Sequence, residues 1–168
     1  MIARQDVLPR LRSVIAQLPC VGLPPRVLNV GCGSFPSAGE LSAALPGWTL
    51  YGVDIDGAAL CRAHRANGVR LIQADAAALP LALQVRFGLV LVRHPDVFRR
   101  RAWAEIIPRL PALLAPGGLL LIMVYAPEEV RLIRSLPLLP DFPLDEDNLA
   151  AADLVGRDRF VLAFGPAD

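Results

Sequence analysis

The chain of 168 residues contains no lysine, only two histidines, three cysteines and 6% aromatic residues. Each shortage excludes something. All 17 basic side chains are arginines, and 16 acidic residues oppose them for a formal net charge of +1. A near-neutral total provides no broad positive field, so electrostatically driven nucleic-acid binding is not expected. Cys20, Cys32 and Cys61 form no CxxC pair and are odd in number, which argues against a disulfide framework and for a reduced, cytoplasmic compartment. His64, placed on a polar helix face, and His94 belong to no cluster with metal-ligand spacing, so no metal is expected. The N-terminal residues lack the apolar core of an export signal, and none is expected. The longest nearly unbroken apolar stretch, residues 111–127, is interrupted by Pro116-Gly117-Gly118, too short to span a bilayer as a helix.

What the chain has in abundance is apolar content: 54% of residues, with a mean hydropathy of +0.46. That amount in a chain of this length suits one domain with a sizeable core. Residues 3–18 space apolar side chains at i, i+3 and i+4, which predicts an amphipathic helix. Strands are predicted at 26–30, 48–53, 69–73, 87–92 and 118–125, several of them continuously apolar as in strands buried on both faces. Between them fall helices at 37–45, 57–66 and 99–115, followed by a helix at 128–135, a proline-rich acidic loop over 136–147 and a last strand at 159–164. Strands alternating with helices imply right-handed crossovers, hence an α/β fold. The expected architecture is a doubly wound, mostly parallel, Rossmann-like sheet of six or seven strands, with helices on both faces and the last strand antiparallel. Within the single domain, residues 1–23 form a helix and linker, 24–125 the core, and 126–168 a helix, loop and edge strand.

In such a sheet the ligand site lies outside the carboxyl ends of the strands, where strand order reverses. Three successive strand ends carry loops suited to a ligand. The first, Val27-Leu28-Asn29-Val30-Gly31-Cys32-Gly33-Ser34-Phe35-Pro36, has glycines that let backbone approach a ligand and amides at the following helix start that favour a negative group. Pro36 stands where a dinucleotide fingerprint needs glycine, which disfavours a dinucleotide or nucleotide-sugar site. The second loop ends in Asp54, whose two carboxylate oxygens match a vicinal diol; Asp56 is better placed to cap the next helix. The third ends in Asp75, able to accept from an exocyclic amine, beside the small Ala76. The first also reads as a plain tight turn and Asp54 as a helix cap, and alone each acid is a weak signal.

In the order and spacing of these parts, residues 24–125 resemble the class I methyltransferases that use S-adenosylmethionine. The resemblance implies that cofactor and its product S-adenosylhomocysteine. Residues 27–35, including Asn29, Gly31, Cys32, Gly33 and Phe35, then look like the cofactor loop, Asp54 like the ribose acid, Ile55 like the residue on the adenine ring, and Asp75 with Ala76 like the adenine end. The family often has an acid where Asn29 stands and a third glycine where Phe35 stands. Residues 87–95 look like the fourth strand and active-site loop, which places Arg93 beside the cofactor and His94 as the candidate base. Methyl transfer is an in-line displacement, so the protein chiefly aligns the nucleophile and removes its proton, a task suited to imidazole near neutral pH. His94 equally suits a backbone-bonded turn, and Pro95 biases it towards extended backbone.

Arg99-Arg100-Arg101 opens the predicted helix 99–115, where positive charge opposes the macrodipole. An anionic acceptor or the acidic tract of residues 141–147 could offset it, and a solvated face is the default. The expected activity is methyl transfer to an O, N or C nucleophile of a small-molecule acceptor rather than an extended nucleic acid, at a site that a second protomer of a homodimer could complete. The alternative is a non-catalytic relative that binds the cofactor or serves as a partner subunit.

Overall fold

The apolar runs that alternate with helices pair into one six-stranded sheet. A computed structural model of the chain describes residues 8–63, 68–79, 85–144 and 159–165. Its strands are β1 (Arg26–Val30), β2 (Thr49–Asp54), β3 (Val69–Gln73), β4 (Phe87–Arg93), β5 (Leu114–Val124) and β6 (Phe160–Phe164), in the spatial order β3-β2-β1-β4-β5-β6. All neighbours are parallel except β6, which pairs antiparallel with β5. The chain moves outward from β1 to β3, then returns to β4 on the other side of β1. That reversal puts the loops after β1 and β4 side by side at the carboxyl edge, the position at which open α/β sheets bind ligands.

Alternation along each strand divides the core in two. Val27, Leu50, Leu89, Leu91 and Leu121 face a layer formed by α1 (Leu8–Gln17), α2 (Ala38–Ala44) and α3 (Gly57–Cys61). Leu28, Val30, Val90, Val92 and Ile122 face the other layer, which contains α4 (Ala102–Ile106), the 3-10 segment Ile107–Leu113 and α5 (Pro127–Arg134). β1 and β4 thus bury side chains on both faces, which is why they read as unbroken apolar runs. On α1 the buried set Leu11, Val14 and Ile15, continued by Leu18 just past its end, follows the helical spacing.

Several expectations need correction. The helix over 99–115 is instead the five-residue α4 followed by 3-10 turns, because Pro108 and Pro111 lack the amide that continued α-helix requires. Arg99 to Arg101 precede the helix, in a turn held by Asp96, whose Oδ1 accepts from the Arg99 amide at 3.1 Å and whose carbonyl accepts from the Arg100 amide at 2.9 Å. β5 begins at Leu114, so Pro116-Gly117-Gly118 lies inside the strand, where its register against β4 shifts between Phe87 and Leu89. Gly118 is required there: an added Cβ would stand 2.9 Å from the carbonyl oxygens of Phe87 and Ala115. α1 is described from Leu8, α3 ends at Cys61, and residues 64–67 and 145–158, with His64 and most of the acidic tract, lie outside the described residues. Asp141 pairs with Arg134 at 3.8 Å, away from the arginine run, and bridges to Phe164 on the sheet edge. Among the described residues no helix is long and apolar enough to cross a membrane, and no three metal-ligating side chains cluster.

Candidate functional site

The glycine loop is tied down from within. Past the end of β1, the amides of Gly31 and Cys32 both donate to the Val53 carbonyl, at 2.8 and 3.0 Å. The Gly33 amide donates to Asp54 Oδ2 at 2.7 Å, and the Phe35 amide to the Cys32 carbonyl at 2.8 Å. The amides of Gly31, Cys32, Gly33 and Phe35 are therefore consumed within the protein. Gly31 and Gly33 hold φ of +68° and +54°, and nothing lies within 4 Å of where a Cβ of Gly33 would stand, so the loop is open to close approach on that side.

Asp54 organises the rim. Oδ2 accepts from Gly33 and Oδ1 from the Asp56 amide at 2.8 Å. A carboxylate has about four acceptor positions, and these two bonds use about half of them. Asp56 caps α3, its Oδ1 accepting from Ala58 and Ala59 at 2.9 and 3.1 Å, as its spacing suggested. Asp75 caps the 3-10 turn Ala76–Ala78 through Oδ1 and the Ala77 amide at 2.9 Å, and otherwise stands exposed at the end of β3. Ile55 is 63% exposed beside Asp54, an apolar side chain left in water at a strand end. Gln73, which sequence reasoning passed over, steadies this loop: its Nε2 donates to the Ile55 carbonyl at 3.4 Å, and its amide lies 2.8 Å from where a Cβ of Gly57 would be.

Three of the expected loop residues face inward. Phe35 is 1% exposed and lies over Gly52, where an added Cβ would stand 2.8 Å from its ring and from the Cys32 Sγ. Its φ of +49° is the left-handed conformation that suits glycine, so a phenylalanine occupies a glycine-like position and buries its ring beneath the loop. Burial and the neighbouring Asp54 charge push the Cys32 thiol up to about 12, so it stays a protonated packing group. Asn29 is 3% exposed, with its Oδ1 unpartnered among the described residues.

At the end of β4, Arg93 and His94 are half-buried. The His94 amide donates to the Met123 carbonyl of β5 at 2.8 Å, and its φ is +53°. The expected extended backbone is thus overturned: the bond to β5 outweighs the bias imposed by Pro95. Two further aromatic side chains stand out at this edge, Phe98 at 58% and Tyr125 at 57% exposure. The turn carrying Tyr125 is fixed by Glu129, whose Oε2 accepts from the Tyr125 and Ala126 amides at 2.9 and 2.8 Å. Trp103, also missed, reaches the glycine loop from α4: a Cβ on Gly31 would lie 3.0 Å from its Cη2. The signal available was its place in the first turn of the helix after the β4 loop.

With this geometry in hand, residues 27–118 match the family described as methyltransferase domain. The chain belongs to that family, the Rossmann-like class of S-adenosylmethionine-dependent methyltransferases. An amino pentose methyltransferase from Micromonospora echinaspora, solved with SAM, is 28% identical over 73% of this chain and 50% of its own, with a TM-score of 0.54. The N-methyltransferase NodS from Bradyrhizobium japonicum, solved with S-adenosylhomocysteine, is 16% identical over 94% of this chain and 84% of its own, with a TM-score of 0.62. An rRNA methylase from Streptococcus thermophilus is 16% identical, with a TM-score of 0.64 over 100% of this chain and 99% of its own. The chain spans half the length of the first of these. No curated protein matches the sequence.

Proposed function

We propose that the chain binds S-adenosylmethionine at the β1–β2–β3 edge and transfers its methyl group to a small-molecule acceptor lying beyond β4 and β5. The observation that carries this is the bond from Gly33 to Asp54. With the amides of Gly31, Cys32, Gly33 and Phe35 turned inward and carboxylates on its rim, the loop suits a ligand rich in donors, such as ribose hydroxyls and an amine, better than a pyrophosphate. The residues fit the cofactor: Asp54 has about two acceptor positions for the ribose, Ile55 offers an exposed apolar surface for a flat base, and Asp75 with Ala76 stands at the adenine end. When bound, the cofactor supplies an activated methyl group. Gly31 and Gly33 let its methionine end approach the backbone, with Arg93 at the adjoining strand end.

On the acceptor side, His94 takes the proton of the nucleophile at an imidazole nitrogen. A small acceptor is favoured by the exposed Phe98 and Tyr125, which provide apolar walls of modest size at the same edge. The arginine turn beside them supplies charge for an acceptor bearing a carboxylate or phosphate. The test is calorimetric titration with S-adenosylhomocysteine, then a panel of hydroxyl, amine and carbon nucleophiles with labelled S-adenosylmethionine. Saturable binding and labelled product are expected; absence of binding sinks the reading.

A further inference from the structure

We infer that Trp103 forms one wall of the cofactor site and contacts its occupant directly, an inference that rests on the cofactor reading above. Gly31 is exposed with φ +68°, and the far edge of the indole reaches it: a Cβ added to Gly31 would stand 3.0 Å from Cη2 and 3.1 Å from Cζ2. Trp103 packs against the core cluster on this face of the sheet, which includes Val97, Ile106 and Ile107. The side chain is half-buried, at the reversal point between β1 and β4. Asp54 and Ile55 border the loop from the β2 side, and Trp103 borders it from the helix after β4. A molecule lying on the glycine loop between them meets the edge of the indole.

The two tryptophans are well separated in the fold, which makes this testable. Trp48 precedes β2 and its Cη2 lies 3.0 Å from where a Cβ of Gly88 would be, at the starting end of the strands. In Trp48→Phe, emission therefore comes from Trp103 alone. Adding S-adenosylhomocysteine should shift or quench that emission, saturating at the Kd measured by calorimetry on the unmodified chain. Trp103→Leu should weaken binding roughly tenfold, and Trp103→Phe distinctly less, since a ring is retained. Should Trp48→Phe not fold, the same emission change in the unmodified chain must vanish in Trp103→Phe. Calorimetric binding with unchanged Trp103 emission, and with Trp103→Leu binding within twofold, overturns the inference alone. Absence of any calorimetric binding overturns the cofactor reading on which it stands.

Discussion

The Gly33 amide donates to Asp54 Oδ2 at 2.7 Å, linking the turn after β1 to the end of β2 across 21 positions of sequence. Asp54 thereby holds the loop in shape, and the proposed site gives its remaining acceptor positions a second task, that of meeting a ligand. Asp54→Ala removes the acceptor of both the Gly33 and Asp56 amides. A hydrogen bond to a charged group is worth about 1.5–3 kcal/mol, and of the two lost the one to Asp56 is exposed, so a stability loss of about 2–4 kcal/mol in urea unfolding is expected, with S-adenosylhomocysteine affinity falling at least about tenfold. Asp54→Asn keeps one acceptor but turns an amino group towards the other N–H, and should lie between. An unchanged affinity in Asp54→Ala would remove Asp54 from the ligand site.

The buried Cys32 thiol predicts a loss of stability in alkali. Its pKa is pushed from 9.0 to about 12 by burial first and the Asp54 charge second. Above pH 9 the unfolded chain releases this proton while the folded chain keeps it, so the folded state is progressively disfavoured as pH rises towards 12. Its contribution is fully present below pH 9. Urea unfolding between pH 8 and 11 should show the decline, and Cys32→Ala should flatten it. A thiol reagent at pH 8 should label the exposed Cys61 first, the half-buried Cys20 more slowly and Cys32 only on unfolding. Rapid native labelling of Cys32 would refute the packing assignment.

Phe35 sets two costs against each other. Its φ of +49° costs a side-chain-bearing residue about 1–2 kcal/mol. Its buried ring, held against Gly52, contributes more: truncating a core phenylalanine costs about 3–5 kcal/mol. Phe35→Gly should therefore relieve the backbone yet destabilise the protein by about 2 kcal/mol or more, and loosen the loop enough to weaken S-adenosylhomocysteine binding. Gly52→Ala attacks the same contact from below, with a Cβ 2.8 Å from both the ring and the Cys32 Sγ. Overpacking costs about 1–3 kcal/mol, and thermal melts of the two variants would check both.

These contacts mark where sequence reasoning succeeds and stops. Strands β1 to β5 and the antiparallel β6 were legible because each carries an apolar run bounded by turn residues, and the strand-end positions of Asp54, Asp75 and His94 followed. The segment after β4 misled because apolar spacing over 99–115 imitates a helix, while Pro108 and Pro111 divert its second half into 3-10 turns and Asp96 holds Arg99 and Arg100 in a turn before it. The orientation of the glycine loop was hidden for a different reason. Whether its amides face a ligand or turn inward is decided by Asp54 and Val53 on another strand, a tertiary relationship that local pattern does not carry. The same holds for Trp103, whose meeting with Gly31 depends on the crossing of α4 over the end of β1.

His94 is the sharpest test of catalysis, because its backbone and its ring can be separated. The amide bond to the Met123 carbonyl holds φ at +53°, a conformation in which asparagine is also at home. His94→Asn therefore preserves the turn while removing the basic ring nitrogen. A positioned general base contributes about 10²–10⁴-fold, so turnover of the acceptor found in the panel should drop by at least about 10² while S-adenosylhomocysteine binding stays within twofold. Were His94 only a turn residue, His94→Asn and His94→Gly would both retain turnover, with glycine the more stable because it adopts positive φ without cost. Retained turnover in His94→Asn would move the proton-accepting role to another group at the β4 edge, or to the acceptor itself.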